Sequence, residues 1–477
     1  MKKYLACASA LAALATLGNA ARAADTTDDS LTWFGVTLYG TFDVGYTYQP
    51  RGTPLNDYFP PGLEYMVQKN EQPKHSYSGV SENALSQSKI GLRGTHEFFP
   101  GWSGVFRMET HIQPLSGNLS DGVKSVIQQN GIPAAKQQTN GDSNRAGQPF
   151  GGAIWAGVSS PTYGTLTFGR QLSLLADNIT RYDPMGGSYA FSFLGYSGTF
   201  GGVGDTQDLR LDNSVKYFNQ IGPGRVAFMF QNGQGTSSGN NAIEGDIGAD
   251  PIPGMSIDAA YANKRDAIII APASAAQMTP CTAGNPPANP PTATNCLIAT
   301  IDPSQASNAT VSDNWSWQVG FSYLFQQFKF SAAFEDIHFR NPHTPLLPGV
   351  PDLGGYTLGW TNNDAYPQKA KILLYHAVGL KYSASKNLDI TGAWYYIFQN
   401  QFKKGAGIAC PGGNNGIKDN AACSGREPGY SLVADYKFDR HFDIYAGVMY
   451  SHLADGLASG TLTTFTIDPT IGGRFNF

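Results

Sequence analysis

Five bases in this chain stand inside greasy stretches, where charge is costly unless it points toward water. Lys89 and Arg93 alternate with Ile90, Leu92 and Gly94, and Arg107 lies between Phe106 and Met108 with Glu109 two positions on. Arg210 and Lys216 flank Leu211, Val215 and Tyr217. In an extended chain successive side chains point to opposite faces. Lys89, Arg93, Arg107, Glu109, Arg210 and Lys216 then fall on the wet face, and Ile90, Leu92, Phe106, Met108, Leu211, Val215 and Tyr217 on the greasy one. Arg170 breaks the pattern: strict alternation puts it with Leu166 and Phe168. A base on a lipid-facing position at mid-bilayer costs about 2–4 kcal/mol, so a bulge at Gly169 is expected to re-aim it. Fixed charges in rows on a wet face do electrostatic rather than covalent chemistry.

Covalent and cofactor chemistry lack their residues. Gly235-Thr-Ser-Ser-Gly239 has the spacing of a nucleophile elbow, but it sits in a Gly/Ser/Asn loop instead of a strand–turn–helix. The eight histidines include no closely spaced ligand pair. There is no Cys-x-x-Cys and no glycine loop ending in Lys-Ser or Lys-Thr. The sequence calls for no enzyme activity, no cofactor and no metal.

The elements that must hold those bases are strands. In Val36–Tyr48, Val36, Leu38, Gly40, Phe42, Val44, Tyr46 and Tyr48 share one parity, against Thr37, Tyr39, Thr41, Asp43, Gly45 and Thr47. The same period of two recurs at Trp315–Phe325, Leu388–Phe398 and Tyr430–Phe438. Charged residues are 14% of the chain, where roughly 25% is usual for soluble proteins, and aromatics are 12%. That balance excludes a disordered chain. Mean hydropathy is negative, and beyond the first twenty residues no apolar run is long enough for a membrane helix.

Residues 1–23 read as a cleaved secretory leader: Lys2 and Lys3, a Leu/Ala stretch, then Ala21-Arg22-Ala23. They carry three bases and no acid, so the remaining 24–477, read as one domain, has 29 bases against 36 acids, a net −7. Nucleic acid is an unsuitable partner for that charge. In an oxidising compartment, Cys281 with Cys296 and Cys410 with Cys423, 15 and 13 positions apart, favour two local disulfides over a metal site.

Short turns (Phe99-Pro100-Gly101, Pro161–Gly164, Gly222-Pro223-Gly224) alternate with long polar excursions at 49–84, 113–150, 266–312, 340–369 and 400–428. This sorting predicts an all-β, 16-stranded antiparallel transmembrane barrel with short periplasmic turns and long outer loops. The strands are expected at 34–48, 86–98, 102–113, 151–160, 164–171, 208–219, 224–233, 242–250, 255–266, 313–325, 328–339, 370–383, 387–399, 428–438, 441–452 and 464–477. An even count lets the first and last strands pair, and closure satisfies every backbone group in lipid. Aromatics gather near strand ends, at Phe98, Trp102, Tyr163, Phe325, Tyr382, Phe438 and Phe442, as interfacial girdles do.

The chain resembles the trimeric general porins of Gram-negative outer membranes, in the proteobacterial branch ending in Phe. The resemblance runs the length of 24–477. It is carried by Val36-Thr-Leu-Tyr-Gly-Thr-Phe-Asp-Val-Gly45, Ser88-Lys-Ile-Gly-Leu-Arg-Gly-Thr95, Trp155-Ala-Gly-Val-Ser159, Tyr163-Gly-Thr-Leu-Thr-Phe-Gly-Arg-Gln171, Arg210-Leu-Asp-Asn-Ser-Val-Lys-Tyr217 and Gly473-Arg-Phe-Asn-Phe477. The elaborate loops at 266–312 and 400–428 depart from the family pattern.

The resemblance implies a passive diffusion channel for ions and small hydrophilic solutes, in a homotrimer set in outer-membrane lipid and lipopolysaccharide. It implies that residues 172 to about 205 form a third outer loop folded into the barrel, narrowing a lumen that sixteen strands otherwise leave wide. Asp177 and Asp183 are then the acidic side of a pore constriction, and Lys89, Arg93, Arg107, Arg170 and Arg210 its basic side. Phe477, with Phe475, Gly473 and Ile471 on its parity, is similar to the signal that the barrel-insertion machinery reads. Two narrower alternatives are a substrate-selective porin using Tyr189, Phe191, Phe193 and Tyr196 as a binding track, and a barrel acting mainly as an adhesin through its loops.

Overall fold

Strands form where one parity is apolar and the other polar, and neighbours meet through short turns. The computed structural model describes residues 31–52, 67–68, 75–115, 117, 119, 149–196, 210–232, 241–265, 278–280, 297–299, 313–340, 357–358, 370–402, 404–405, 410, 420, 422–458 and 463–477. The leader at 1–23, Cys281 and Cys296 lie outside them, as does most of the longest loops.

The wall begins with β1 (Val36–Gly52), β2 (His75–Glu82), β3 (Lys89–Phe99), β4 (Trp102–His111), β5 (Ala153–Ser160) and β6 (Gly164–Leu172). A helix, α1 (Leu174–Tyr182), interrupts it before β7 (Arg210–Ile221), β8 (Gly224–Gln231), β9 (Ala242–Ala249) and β10 (Met255–Lys264). It continues with β11 (Asp313–Phe325), β12 (Phe328–Arg340), β13 (Lys371–Ser383), β14 (Leu388–Gln399), β15 (Gly425–Lys437), β16 (Phe442–His452) and β17 (Phe465–Asn476). Each of β3 to β17 pairs antiparallel with the next, and β1 pairs with both β3 and β17. β2 continues the β3 stave along the other half of β1. The result is a closed ring of sixteen staves.

Closure is stitched by the terminal residue. The Gly40 amide donates to the Phe477 carbonyl (2.9 Å) and the Phe477 amide to the Gly40 carbonyl (3.1 Å). A Cβ at position 40 would come within 2.3 Å of the Phe477 ring, so glycine is required there. The register runs from Thr41 opposite Asn476 to Thr47 opposite Thr470.

Outward-facing Ile90, Leu92, Phe168, Phe228, Trp317 and Leu432 are exposed, an apolar band suited to lipid. Phe98, Tyr163, Phe325, Phe438 and Phe442 are exposed near the short turns. The strand expected at 242–250 is present as β9.

Two features differ from the sequence reading. The excursion at 49–84 is shorter, because β1 runs to Gly52 and β2 occupies 75–82. Between β2 and β3 the chain leaves the sheet for residues 83–88, with Asn83 at φ 60°. Asp43 anchors this kink: its carboxylate accepts from the amides of Leu85 (2.9 Å) and Ser86 (2.7 Å), and its own amide donates to Ser88 Oγ (3.0 Å).

The residues after β6 fold against the inner wall. Leu175, Ile179 and Tyr182 lie on one side of α1 at i, i+4, i+7 spacing and are buried against it. Ser173 caps the helix, its Oγ accepting from the Ala176 amide at 3.1 Å. Further on, Met185, Ala190, Phe191, Phe193 and Leu194 join Ile337, Tyr375, Tyr395, Val433, Tyr445 and Met449 in a dry cluster. Full burial of Phe191 or Phe193 contributes about 1.5–3 kcal/mol each. The Ala190 amide donates to the Ala84 carbonyl (2.9 Å), tying this segment to the 83–88 kink.

Candidate pore constriction

On the inner face of β1, β3 and β4 the parity of the strands assembles a basic wall around one carboxylate. Glu109 accepts from Arg107 Nη2 (2.6 Å) and Tyr39 Oη (3.0 Å), with His111 Nε2 at 3.2 Å and Lys89 Nζ at 3.6 Å. Arg107 Nε also donates to Tyr39 Oη at 2.8 Å. The guanidiniums of Arg93 and Arg107 lie over the Tyr39 ring, 5.4 and 5.3 Å from its centre. Arg93 and Arg107 are opposite one another across the β3–β4 ladder. Like charges so placed repel; Tyr39 and Glu109 offset part of that, and water the rest. Arg210 closes the group at its upper edge, with Nη2 3.4 Å from His111 Nε2 and Nε donating to the Gly152 carbonyl.

The inward segment brings its acids to different places. Asp177, in the first turn of α1, is ion-paired with Lys216 of β7, whose Nζ also donates to the Leu172 carbonyl (3.0 Å). Asp177 and Lys216 share a recess of about 310 Å³ with Arg107, Glu109, Trp155 and Thr167. The basic wall and the helix therefore meet across one aqueous gap. Asp183 does not join them. It is 5% exposed, and its carboxylate accepts from the amides of Gly187 (2.7 Å) and Met185 (3.1 Å) and from Tyr375 Oη (3.2 Å). Burial pushes the pKa of the Asp183 carboxyl above the ordinary range, against the pull of the Gly187 amide and nearby hydroxyls.

Bulges decide two placements. At Asn213 (φ 54°) an extra residue shifts the β6–β7 register, so that Gly169 faces Ser214 while Gln171 faces Leu211. Leu211 thereby changes side: it is fully buried with Leu174, Met229 and Ala242 beneath α1, not turned toward lipid as alternation predicts. Gly169 (φ 130°) sits at the matching irregularity in β6. Past it, Gln171 makes the inward contacts, bonding Thr167 Oγ1 (2.7 Å) and Ser214 Oγ (3.2 Å). Arg170 stands opposite Ile154 in the ladder and is 3% exposed. Its Nη1 donates to Asp212 (2.7 Å) and its Nε to the Gly151 carbonyl (3.1 Å).

Phe191 and Phe193 have no exposed surface, so they do not line the lumen as a binding track would require. Tyr189 is half-buried and donates to Gln87 Oε1 (2.7 Å); the Tyr196 side chain lies outside the described residues. Cys410 and Cys423 are bridged, with Cα atoms 5.7 Å apart.

Several inner charges escaped the sequence reading. Arg181 of α1 pairs with Asp258 (2.8 Å), which Arg225 also reaches (3.0 Å). Lys329 and Lys381 lie under the inward segment. The available signal was their parity, opposite to Phe328, Phe330, Leu380 and Tyr382.

A family model described as Gram-negative porin matches residues 8–456. An outer membrane porin protein of Bordetella pertussis is 26% identical over 187 residues, an alignment spanning 38% of this chain and 38% of that protein. Among solved structures, an anion-selective porin from Comamonas acidovorans is similar at a TM-score of 0.57 and 15% identity, covering 93% of this chain and 99% of that one. OmpT of Vibrio cholerae in its trimer form is similar at a TM-score of 0.50 and 12% identity, covering 93% and 99%. At such identities the structural likeness is one of fold.

Proposed function

Since the chain belongs to the Gram-negative porin family and is an outer-membrane barrel channel rather than an enzyme, we propose that it is a passive route for ions and small hydrophilic solutes, narrowed by the inward segment and biased toward anions. The observation that carries the bias is an imbalance at the gap. Lys89 and Arg107 pair with one carboxylate, Glu109, while Arg93 lies over the Tyr39 ring and Arg210 reaches His111. Across from them Asp177 is neutralised by Lys216, and Asp183 is buried among its own donors.

The mechanism is electrostatic. The screening length is about 8 Å at physiological ionic strength, so fixed charges lose their reach in a wide lumen and keep it where α1 narrows the passage. Bases on one side and the Asp177–Lys216 pair on the other set up a transverse field. Dipolar solutes orient in it, and anions are drawn to the basic wall. Apolar solutes would displace ordered water without replacing its hydrogen bonds, and are disfavoured.

The trimer form of the OmpT neighbour supports a homotrimer for this chain, surrounded by lipid and lipopolysaccharide. The family resemblance of its C-terminal residues makes Phe477 the proposed signal for the insertion machinery, after removal of residues 1–23. The test is reconstitution in a planar bilayer across a salt gradient. The reversal potential should favour the anion, and Arg93→Ala with Arg210→Ala should shift it toward the cation; an unchanged potential removes these residues from the constriction. Conductance lost in steps of three would support the trimer.

A further inference from the structure

Beneath the inward segment, toward the short turns, lies a second recess of about 210 Å³, lined by Thr180, Arg181, Lys329, Ser331, Gly379 and Lys381 among others. Lys329 and Lys381 face each other directly across the β12–β13 ladder. Two ammonium groups in that position repel. Lys381 has Asp389 at 3.5 Å, but Asp389 is held more closely by Lys437 (2.7 Å) and by Ser383 Oγ (2.7 Å). Arg181 shares Asp258 with Arg225. Lys329 has no ion pair among the described residues, and the charge that acts on it is that of Lys381. The one other acid at the recess, Asp183, turns its oxygens to Met185, Gly187 and Tyr375.

The backbone keeps this pocket close under the loop. A Cβ at position 379 would approach Pro184 to 2.4 Å, so Gly379 lets the loop's Pro184 rest on the wall beside the lysines. Three cationic chains from three elements, α1, β12 and β13, thus converge with the Ser331 hydroxyl on a space of a few water volumes.

We propose that this recess is a binding station for a small multivalent oxyanion of the size and charge of phosphate, placed in series with the basic wall on the periplasmic side of the constriction. The proposal rests on the channel reading above. A tetrahedral dianion accepts hydrogen bonds from several donors at once and neutralises the Lys329–Lys381 repulsion, whereas chloride offers one sphere of single charge. Monovalent anions would pass, and a phosphate would dwell.

The test is a chloride current through the reconstituted full chain, with inorganic phosphate added to the periplasmic side. Phosphate should reduce the chloride conductance saturably. Lys329→Gln should raise the half-blocking concentration by about fivefold, the effect of losing one partly exposed ionic contact, and Lys329→Arg should restore it. Arg93→Ala should shift the reversal potential while leaving the half-blocking concentration within about twofold, because it sits at the other station. Equal block in the wild type and in Lys329→Gln overturns the station while leaving the channel intact, and so does absence of any block. Absence of conductance steps in the wild type overturns the channel reading itself. Calorimetric titration of the detergent-solubilised protein with phosphate, repeated on Lys381→Gln, reads the same site without a bilayer: undiminished heat in the variant refutes it.

Discussion

The carboxylate of Asp43, in the first stave, accepts from the hydroxyl of Tyr445, 402 residues further along the chain. The same carboxylate holds the amides of Leu85 and Ser86, and the neighbouring Ala84 carbonyl holds Ala190 of the inward segment. One buried acid therefore links the ring's closure, the 83–88 kink and the loop that narrows the pore.

Removing that acid leaves three donors without their acceptor in a buried place. Leaving a buried donor unpaired costs about 1–3 kcal/mol, so Asp43→Ala should lower the melting temperature in detergent, and Asp43→Asn should recover part of the loss. An unchanged melting curve for Asp43→Ala would show that water takes over these contacts.

Closure offers a second test. Gly40→Leu places a side chain where the Phe477 ring lies, so the variant should show a reduced fraction of fast-migrating folded barrel on unheated gels. Phe477→Ala combined with Gly40→Leu, refolded in detergent without the insertion machinery, should recover only part of that fraction, because a side chain at position 40 also meets the Lys89 carbonyl. If the single variant migrates like the wild type, the contact is not limiting for closure.

Selectivity can be tuned at α1 without touching the basic wall. Asp177→Asn leaves Lys216 unneutralised beside the gap, and should move the reversal potential further toward the anion. Lys216→Gln leaves Asp177 unopposed, and should move it the other way. Opposite-sign shifts in a salt-gradient recording are the expected pair; shifts of the same sign would mean that the ion pair is not at the selective point.

Asp183 gives a pH dependence. Its carboxyl titrates above the ordinary value of 3.8 because of burial. Between the unfolded and folded values the native chain holds more protons than the unfolded one, so stability falls as pH rises. The contribution is fully present below the unfolded pKa and lost as pH rises through the folded one. The wild type's melting temperature relative to that of Asp183→Asn should therefore fall as pH rises above 3.8. A wild-type value that stays constant or climbs relative to Asp183→Asn with rising pH would overturn the sign assigned to Asp183.

The number of staves, the short turns and the side of the wall bearing Lys89, Arg93 and Arg107 could be read from residues alone. Alternation is local: a side chain's face follows from its neighbours two positions away, and the strand expected at 242–250 is present as β9. Leu211 shows where this stops. The single extra residue at Asn213 reverses parity beyond it, and a bulge leaves little trace in composition. Arg170 depended on the same irregularity, whose partner, Asp212, lies on another strand.

The sequence by itself determined a barrel and which of its stretches are wet, because a period of two needs no knowledge of distant chain. Only the tertiary structure decided that Asp183 is buried while Asp177 meets Lys216, that Phe191 and Phe193 pack into the wall, and that Lys329, Lys381 and Arg181 converge. Those outcomes depend on which face the inward segment lays on which staves, a choice made by side chains from 39 residues apart, for Asp177 and Lys216, to 192, for Asp183 and Tyr375.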